Sequence, residues 1–187
     1  MGTNYYWLFD KEVLADPSVI EGKDHVPDIV KKVYRDAHDA QVELKSEHCA
    51  DPFKLQREDP FIVPDYCTYR CNPVIGGLHI GKSSYGWIFG LHVFPDLGLN
   101  TYEDWEKLLP YGKIRDEYME PHTCYQFVEM LYDKVNRAKK QPPREENTLS
   151  PNDSFVCPES NLFRRKGHDF IVNNTHPLCD YLTGYFS

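Results

Sequence analysis

Between Cys67 and Val93 the chain reads CTYRCNPVIGGLHIGKSSYGWIFGLHV, and this stretch limits what the rest can fold into. Two apolar and aromatic runs, Leu78 to Gly81 and Trp87 to Phe94, flank the polar Ser83-Ser84-Tyr85-Gly86. Serine and glycine between such runs supply turn chemistry, so the pattern predicts a β-hairpin. Gly90 interrupts the second run and marks a bulge or a close backbone approach. An isolated hairpin is marginal in water, so the flanking chain has to cover it.

That cover is legible on both sides. Asn4 to Phe9 suits a short strand, and Asp16-Pro17 and Glu21-Gly22 mark turns. Pro27 opens a helix whose stripe is Ile29, Val33, Ala37 and Leu44, with His38 beside it at the surface. Pro52, Pro60 and Pro64 break the following stretch, where Phe61-Ile62-Val63 fits an edge strand. Thr101 and Asp104 form a capping box before Trp105, Leu108 and Leu109, and Pro110 stops that helix. Gly112 to Tyr118 reads as a strand. Thr123 and Gln126 cap a longer helix with the stripe Cys124, Phe127, Val128, Leu131 and Val135. Phe170-Ile171-Val172 and Tyr181 to Phe186 read as closing strands.

The fold class expected is α+β: a small antiparallel sheet with a central β-hairpin, covered by two or three helices. At 187 residues, one domain is the default. Its parts are a helical insertion (25–60), a core of hairpin and helices (61–140), a mobile loop (141–160) and closing strands (161–187).

Charge narrows the partners. The net charge is −8, and the first 66 residues hold 14 acids against 8 bases. Phosphate backbones need a basic surface, so nucleic acid is not favoured. The late basic clusters, Lys134–Arg144 and Arg164–Lys166, read as solvated helix ends and loops. No apolar run approaches the roughly 20 residues of a membrane span, and Met1-Gly2-Thr3 leads into no apolar leader. A cytosolic chain is expected, and its six cysteines are then thiols or metal ligands rather than disulfides.

Three constellations carry chemistry. Cys67-x₃-Cys71 has the spacing of half a zinc site, and His79 and His92 complete a Cys₂His₂ set if the hairpin register lets them meet. A two-residue loop at Ser84-Tyr85 puts both histidines on one face, and an odd-length loop separates them. Free thiols packed under a loop are the competing reading. Gly76 to Ser83 matches the P-loop letters G-x-x-x-x-G-K-S, but the downstream residues are strand material where a phosphate-binding helix would have to start. A weaker phosphate site remains, with Lys82, Ser83 and Ser84 holding the anion and Trp87 stacking on a base. The competing reading is a plain polar turn. If the protein were an enzyme, His79, Lys82 and Ser83 would supply base, charge and hydroxyl. No complete catalytic set is evident.

The opening MGTNYY, the close cysteine pair, the segment LHIGKSSYGWIFGLHV, the NTYEDWEKLL helix, the IRDEY strand and the terminal Phe186-Ser187 resemble a family of small phage-encoded proteins. The resemblance touches both ends and most of residues 65–135. The family's cysteines are spaced C-x-x-C where this chain has three residues between Cys67 and Cys71. This chain also adds residues 10–60 and lengthens the 141–160 loop. The resemblance implies a phage origin and a role in infection, and it implies no activity. The expected function is therefore a phage accessory protein in the host cytoplasm that binds a host component, a host protein first, without catalysis. The alternative is a nucleotide-directed protein that sequesters or cleaves a phosphorylated host signal through Lys82-Ser83-Ser84. A minor virion component is the third reading.

Overall fold

The aromatic opening segment lies at the centre of the sheet. In a computed structural model describing residues 2–46, 62–63, 74–144, 154–166, 171–173 and 175–183, β1 (Gly2–Phe9) pairs antiparallel with two strands. On one side is β4 (Gly77–Ser84) and on the other β6 (Gly112–Asp116). Beyond β4 lie β5 (Phe89–His92), β11 (Cys179–Leu182) and β10 (Ile171–Asn173), and beyond β6 lies β7 (Pro121–His122). The α+β class holds. The sheet is larger than the small antiparallel one expected, with seven strands, and β11 joins β5 in parallel. Parallel pairing is possible because the chain between those two strands is long enough to cross over. Two small pairs complete the strands: β2 (Ile62–Val63) with β3 (Val74–Ile75), and β8 (Ser154–Cys157) with β9 (Leu162–Arg165).

Alternation along β1 sorts the helices. Tyr5, Trp7 and Phe9 point to one face. Helix α1 (Lys11–Ala15) and α2 (Ser18–Glu21) break at the two predicted turns, and α3 (Asp28–Ser46) starts just after Pro27. Its Val30, Val33, Tyr34 and Ala37 are buried, and the Tyr34 ring meets Trp7 and Phe9 edge-on. The Tyr34 hydroxyl accepts from Asp10 N at 3.0 Å and donates to Tyr111 O at 2.6 Å, so this buried ring leaves no polar atom unpaired. Helix α4 (Tyr102–Leu108) has the capping box read from Thr101 and Asp104, and Trp105 donates to His92 O at 2.8 Å. Helix α5 (Cys124–Lys139) has its box at Thr123 and Gln126. Phe127, Leu131, Val135 and Ala138 are its buried stripe, and Phe127 packs on Tyr5 and Phe89.

The stretch expected as a mobile loop over 141–160 contains β8. Its pairing with β9 is a tertiary event that a four-residue run among Pro, Ser and Asn does not announce. The turn of that pair carries Asn161 at φ 53°, a conformation Asn tolerates better than most residues. Asn161 Nδ2 donates to Ala138 O and Pro142 O, and its Oδ1 accepts from Arg144 N. One side chain thus satisfies carbonyls left open at the end of α5 and fixes the Arg144 segment against it. No helix among the described residues is long and apolar enough to cross a membrane.

Candidate functional site

The hairpin register is odd. Gly81 pairs with Leu91 and Lys82 with Gly90. Continued unchanged, it would put His79 and His92 on opposite faces. A bulge intervenes. On the β1 side Tyr5 pairs with Gly81 but Tyr6 pairs with His79, so Ile80 is one residue too many on β4. Gly81 takes φ +152°, and a Cβ there would lie 2.0 Å from Gly90 O, so the approach needs glycine at 81. The extra residue returns His79 to the face of His92. Their rings meet edge-on with centroids 5.6 Å apart, and Tyr6 lies over His79 at 5.1 Å.

Both imidazoles are buried and held neutral. Burial, then the neighbouring His92, pushes His79 down to about 3, and burial pushes His92 down to about 4. The neutral imidazole is the form that binds metal. Cys67 and Cys71 lie outside the described residues. Among the described residues, no group of three or more ligating side chains comes together.

The GKSS letters lie in a strand. Residues 77–84 are all β4, Tyr85 and Gly86 make the turn, and no helix starts at Lys82, so the P-loop match is one of letters only. Adjacent strand residues alternate, and this separates the predicted ligand set. The Lys82 side chain and Ser84 Oγ both approach Gly2, whereas Ser83 Oγ turns the other way and meets Lys134 Nζ at 2.7 Å. Lys134 Nζ also donates to Ser84 O at 2.7 Å. Trp87 sits under the Arg165 guanidinium at 5.1 Å and beside Phe163. Its face is already covered. The exposed ring at the turn is Tyr85, with Arg144 over it at 5.6 Å. His79 is on the side of β4 away from Ser83, so the base, lysine and hydroxyl of the enzyme reading do not assemble.

What does assemble is a cleft of about 510 Å³ between the β4–β5 turn and the outer side of α5. Ser83, Tyr85, Lys134, Arg137 and Arg144 line it. Gly86, at φ +79°, leaves room for the Arg144 guanidinium, since a Cβ would stand 3.0 Å from it. Lys134 is pushed down to about 8 by burial first, then by Arg165 and Arg144. The acids that line the same cleft, Glu129 and Asp133, have partners other than Lys134 and Arg144. Asp133 pairs with Arg137 at 2.8 Å, and Glu129 accepts from the Tyr125 hydroxyl at 3.2 Å. Among the described residues, no carboxylate pairs with Lys134 or Arg144. The sequence reading missed both residues. Its one signal was the late clustering of bases, which it took for solvated surface.

Other titratable clusters are internally satisfied. Asp180, fully buried, takes Arg164 at 2.9 Å and Arg165 at 3.5 Å. Cys179 Sγ lies 3.3 Å from His176 Nδ1, but the thiol is fully buried and burial raises its pKa well above the ordinary value, so no thiolate forms there. Asp116, near the end of β6, is buried. It accepts from Tyr118 N and Glu120 N across the β6–β7 turn and faces His122 Nε2 at 3.4 Å. Comparison with protein-family models, with curated proteins and with solved structures gives no match.

Proposed function

We propose that the protein binds a phosphate-bearing small molecule, a nucleotide in the first instance, in the cleft at Ser83, Lys134 and Arg144. It does so without catalysis, as a phage accessory factor in the host cytoplasm, the setting the family resemblance implies. The host component is then a phosphorylated small molecule rather than a host protein. The observation that carries this reading is Lys134. A partly buried ammonium is costly unless an anion answers it, and among the described residues its hydrogen bonds go to two neutral oxygens, with two guanidinium groups acting on it. In a chain of net charge −8, a cationic cleft is a local departure that selects anions. Tyr85 offers a ring for a base beside the phosphate. Chemistry is disfavoured because a protonated Lys134 cannot take the Ser83 proton, and neither His79 nor His92 lies on that side of β4.

The test is calorimetric titration of the full chain with inorganic phosphate and with adenosine mono- and triphosphate. Wild-type protein saturates, and Lys134→Met weakens binding at least about tenfold, the loss of one charge-assisted contact. Absence of binding at millimolar ligand, or equal binding by the variant, removes the reading.

The second part of the proposal concerns His79 and His92, which with Cys67 and Cys71 hold a structural zinc. The meeting of two neutral, buried imidazoles at a bulge supports it, since tetrahedral Cys₂His₂ sites need both rings at one point. Such a site is closed and contributes folding energy, not chemistry. Elemental analysis of tag-free protein is expected to find about one zinc per chain, and Cys67→Ser or His92→Ala to lose it. A metal-free wild type would sink the proposal.

A further inference from the structure

The nitrogen of Lys134 is held in a way that suits a nucleophile as well as a cation. It donates to Ser83 Oγ and to Ser84 O, both at 2.7 Å. An ammonium has three N–H groups, and these acceptors occupy two of them. When the third proton leaves, the remaining N–H groups can stay on the same acceptors, and the lone pair takes the open position. The side chain is only partly buried and lines the cleft, so a molecule seated there reaches the nitrogen.

The surroundings favour loss of that proton. Burial, then the guanidinium groups of Arg165 and Arg144, brings Lys134 from 10.5 down to about 8. Desolvation and a neighbouring cation are two ordinary ways of making a lysine nucleophilic. The acids of the lining, Glu129 and Asp133, accept from Tyr125 and Arg137. Arg144 lines the cleft as well, and its Nη1 donates to none of the described residues. A phosphate docked on that guanidinium leaves the amine free to react. We infer that Lys134 captures a phosphorylated aldehyde or ketone as an imine, with Arg144 holding the phosphate. This capture rests on the anion cleft proposed above and adds to its ligands a class that binds covalently. The nitrogen lone pair forms the C–N bond while the carbonyl π electrons move to oxygen. Both amine hydrogens then leave with that oxygen as one water, and nothing is oxidised or reduced.

The probe is pyridoxal 5′-phosphate, incubated with the full chain at pH 7. Borohydride then reduces and fixes the imine, and peptide masses locate it. Lys134 is labelled at least about tenfold faster than Lys139, an exposed lysine of the same helix. Titration at about 8 rather than 10.5 gives about two orders of magnitude more neutral amine at that pH, and lower nucleophilicity takes back part of the gain. Pyridoxal, which lacks the phosphate, loses most of the preference for Lys134 over Lys139. Millimolar sulfate slows the phosphorylated probe at Lys134 and not at Lys139. Labelling of Lys134 no faster than Lys139, equal preference by the two aldehydes, or no protection by sulfate overturns the inference. Calorimetry with inorganic phosphate on the same preparation separates the two claims. Binding without selective labelling leaves the anion cleft standing and removes the capture, and absence of both removes both.

Discussion

Two groups of cations lie within one small part of this molecule and are treated in opposite ways. Arg164 and Arg165 converge on Asp180, and Arg164 Nη2 donates to His176 O at 2.6 Å. Burial pushes Asp180 above the ordinary carboxylate range even with two guanidinium groups beside it. Among the described residues, Lys134 and Arg144 have no such carboxylate, and their partners are neutral oxygens and aromatic faces. Charge that is neutralised inside the fold holds elements together, here β9 to β11. Charge left over is available to something outside it. That contrast is the physical basis for placing a ligand at one cluster and none at the other.

The comparison breaks first, and by the largest amount, at Asp180. Asp180→Asn keeps the shape of the side chain and removes its charge, taking away the carboxylate on which two buried guanidinium groups converge. Removing one member of a buried ion pair costs about 3–5 kcal/mol, a large part of the 5–15 kcal/mol typical of a domain. Urea unfolding should show that loss. A change below about 1 kcal/mol would mean that water already reaches the cluster, and the two regions would then not differ in kind.

A smaller effect sharpens the other half. Lys134 ordinarily titrates at 10.5 and here falls to about 8, with Arg144 and Arg165 adding to the effect of burial while Glu129 and Asp133 line the same cleft. The sign of its pH dependence differs for binding and for folding. Anion binding needs the ammonium, so sulfate, which does not titrate in this range, binds at constant affinity below pH 7. Its affinity then falls by up to tenfold per unit as pH rises past 8. Folding responds in the opposite direction. Between pH 8 and 10.5 the unfolded chain still holds the lysine proton and the folded chain has released it, so this group's contribution to stability rises with pH. Sulfate titrations and urea midpoints at pH 7, 8 and 9 read the two signs separately. Affinity flat across that range would remove Lys134 from the site.

How much of this was legible depends on distance along the chain. Both capping boxes, the start of α3 after Pro27 and the aromatic β1 are local patterns, and each appears where the sequence puts it. The meeting of His79 and His92 was posed correctly as a question of register and could not be answered. An odd register and a one-residue bulge cancel, and the one hint was Gly90, read as a bulge or close approach in the second strand, whereas the bulge lies across from it on β4. Of the cationic cleft, only the late clustering of bases was visible in the sequence. Ser83, Lys134 and Arg144 come from a strand, a helix and a strap, and Asn161, which pins the strap, sits in a hairpin hidden within a polar stretch. Parallel β11 likewise joins β5 across a long crossover, which alternation patterns do not encode.

The smallest effect is the most discriminating, because sequence and structure disagree about it. Read from its letters, Gly81-Lys82-Ser83-Ser84 makes Lys82 the phosphate ligand, and Lys82→Ala should then abolish binding. In the fold, Lys82 and Ser84 approach Gly2 while Ser83 alone enters the cleft. Lys82→Ala should therefore change sulfate or nucleotide affinity by less than about twofold, the scale of one screened charge acting from outside the site. Ser83→Ala, one residue on, removes the hydroxyl that holds Lys134 and should cost several times more. A reversed order, with Lys82 dominant, would place the ligand on the opposite face of β4, beside His79, and leave Lys134 and Arg144 as surface charge.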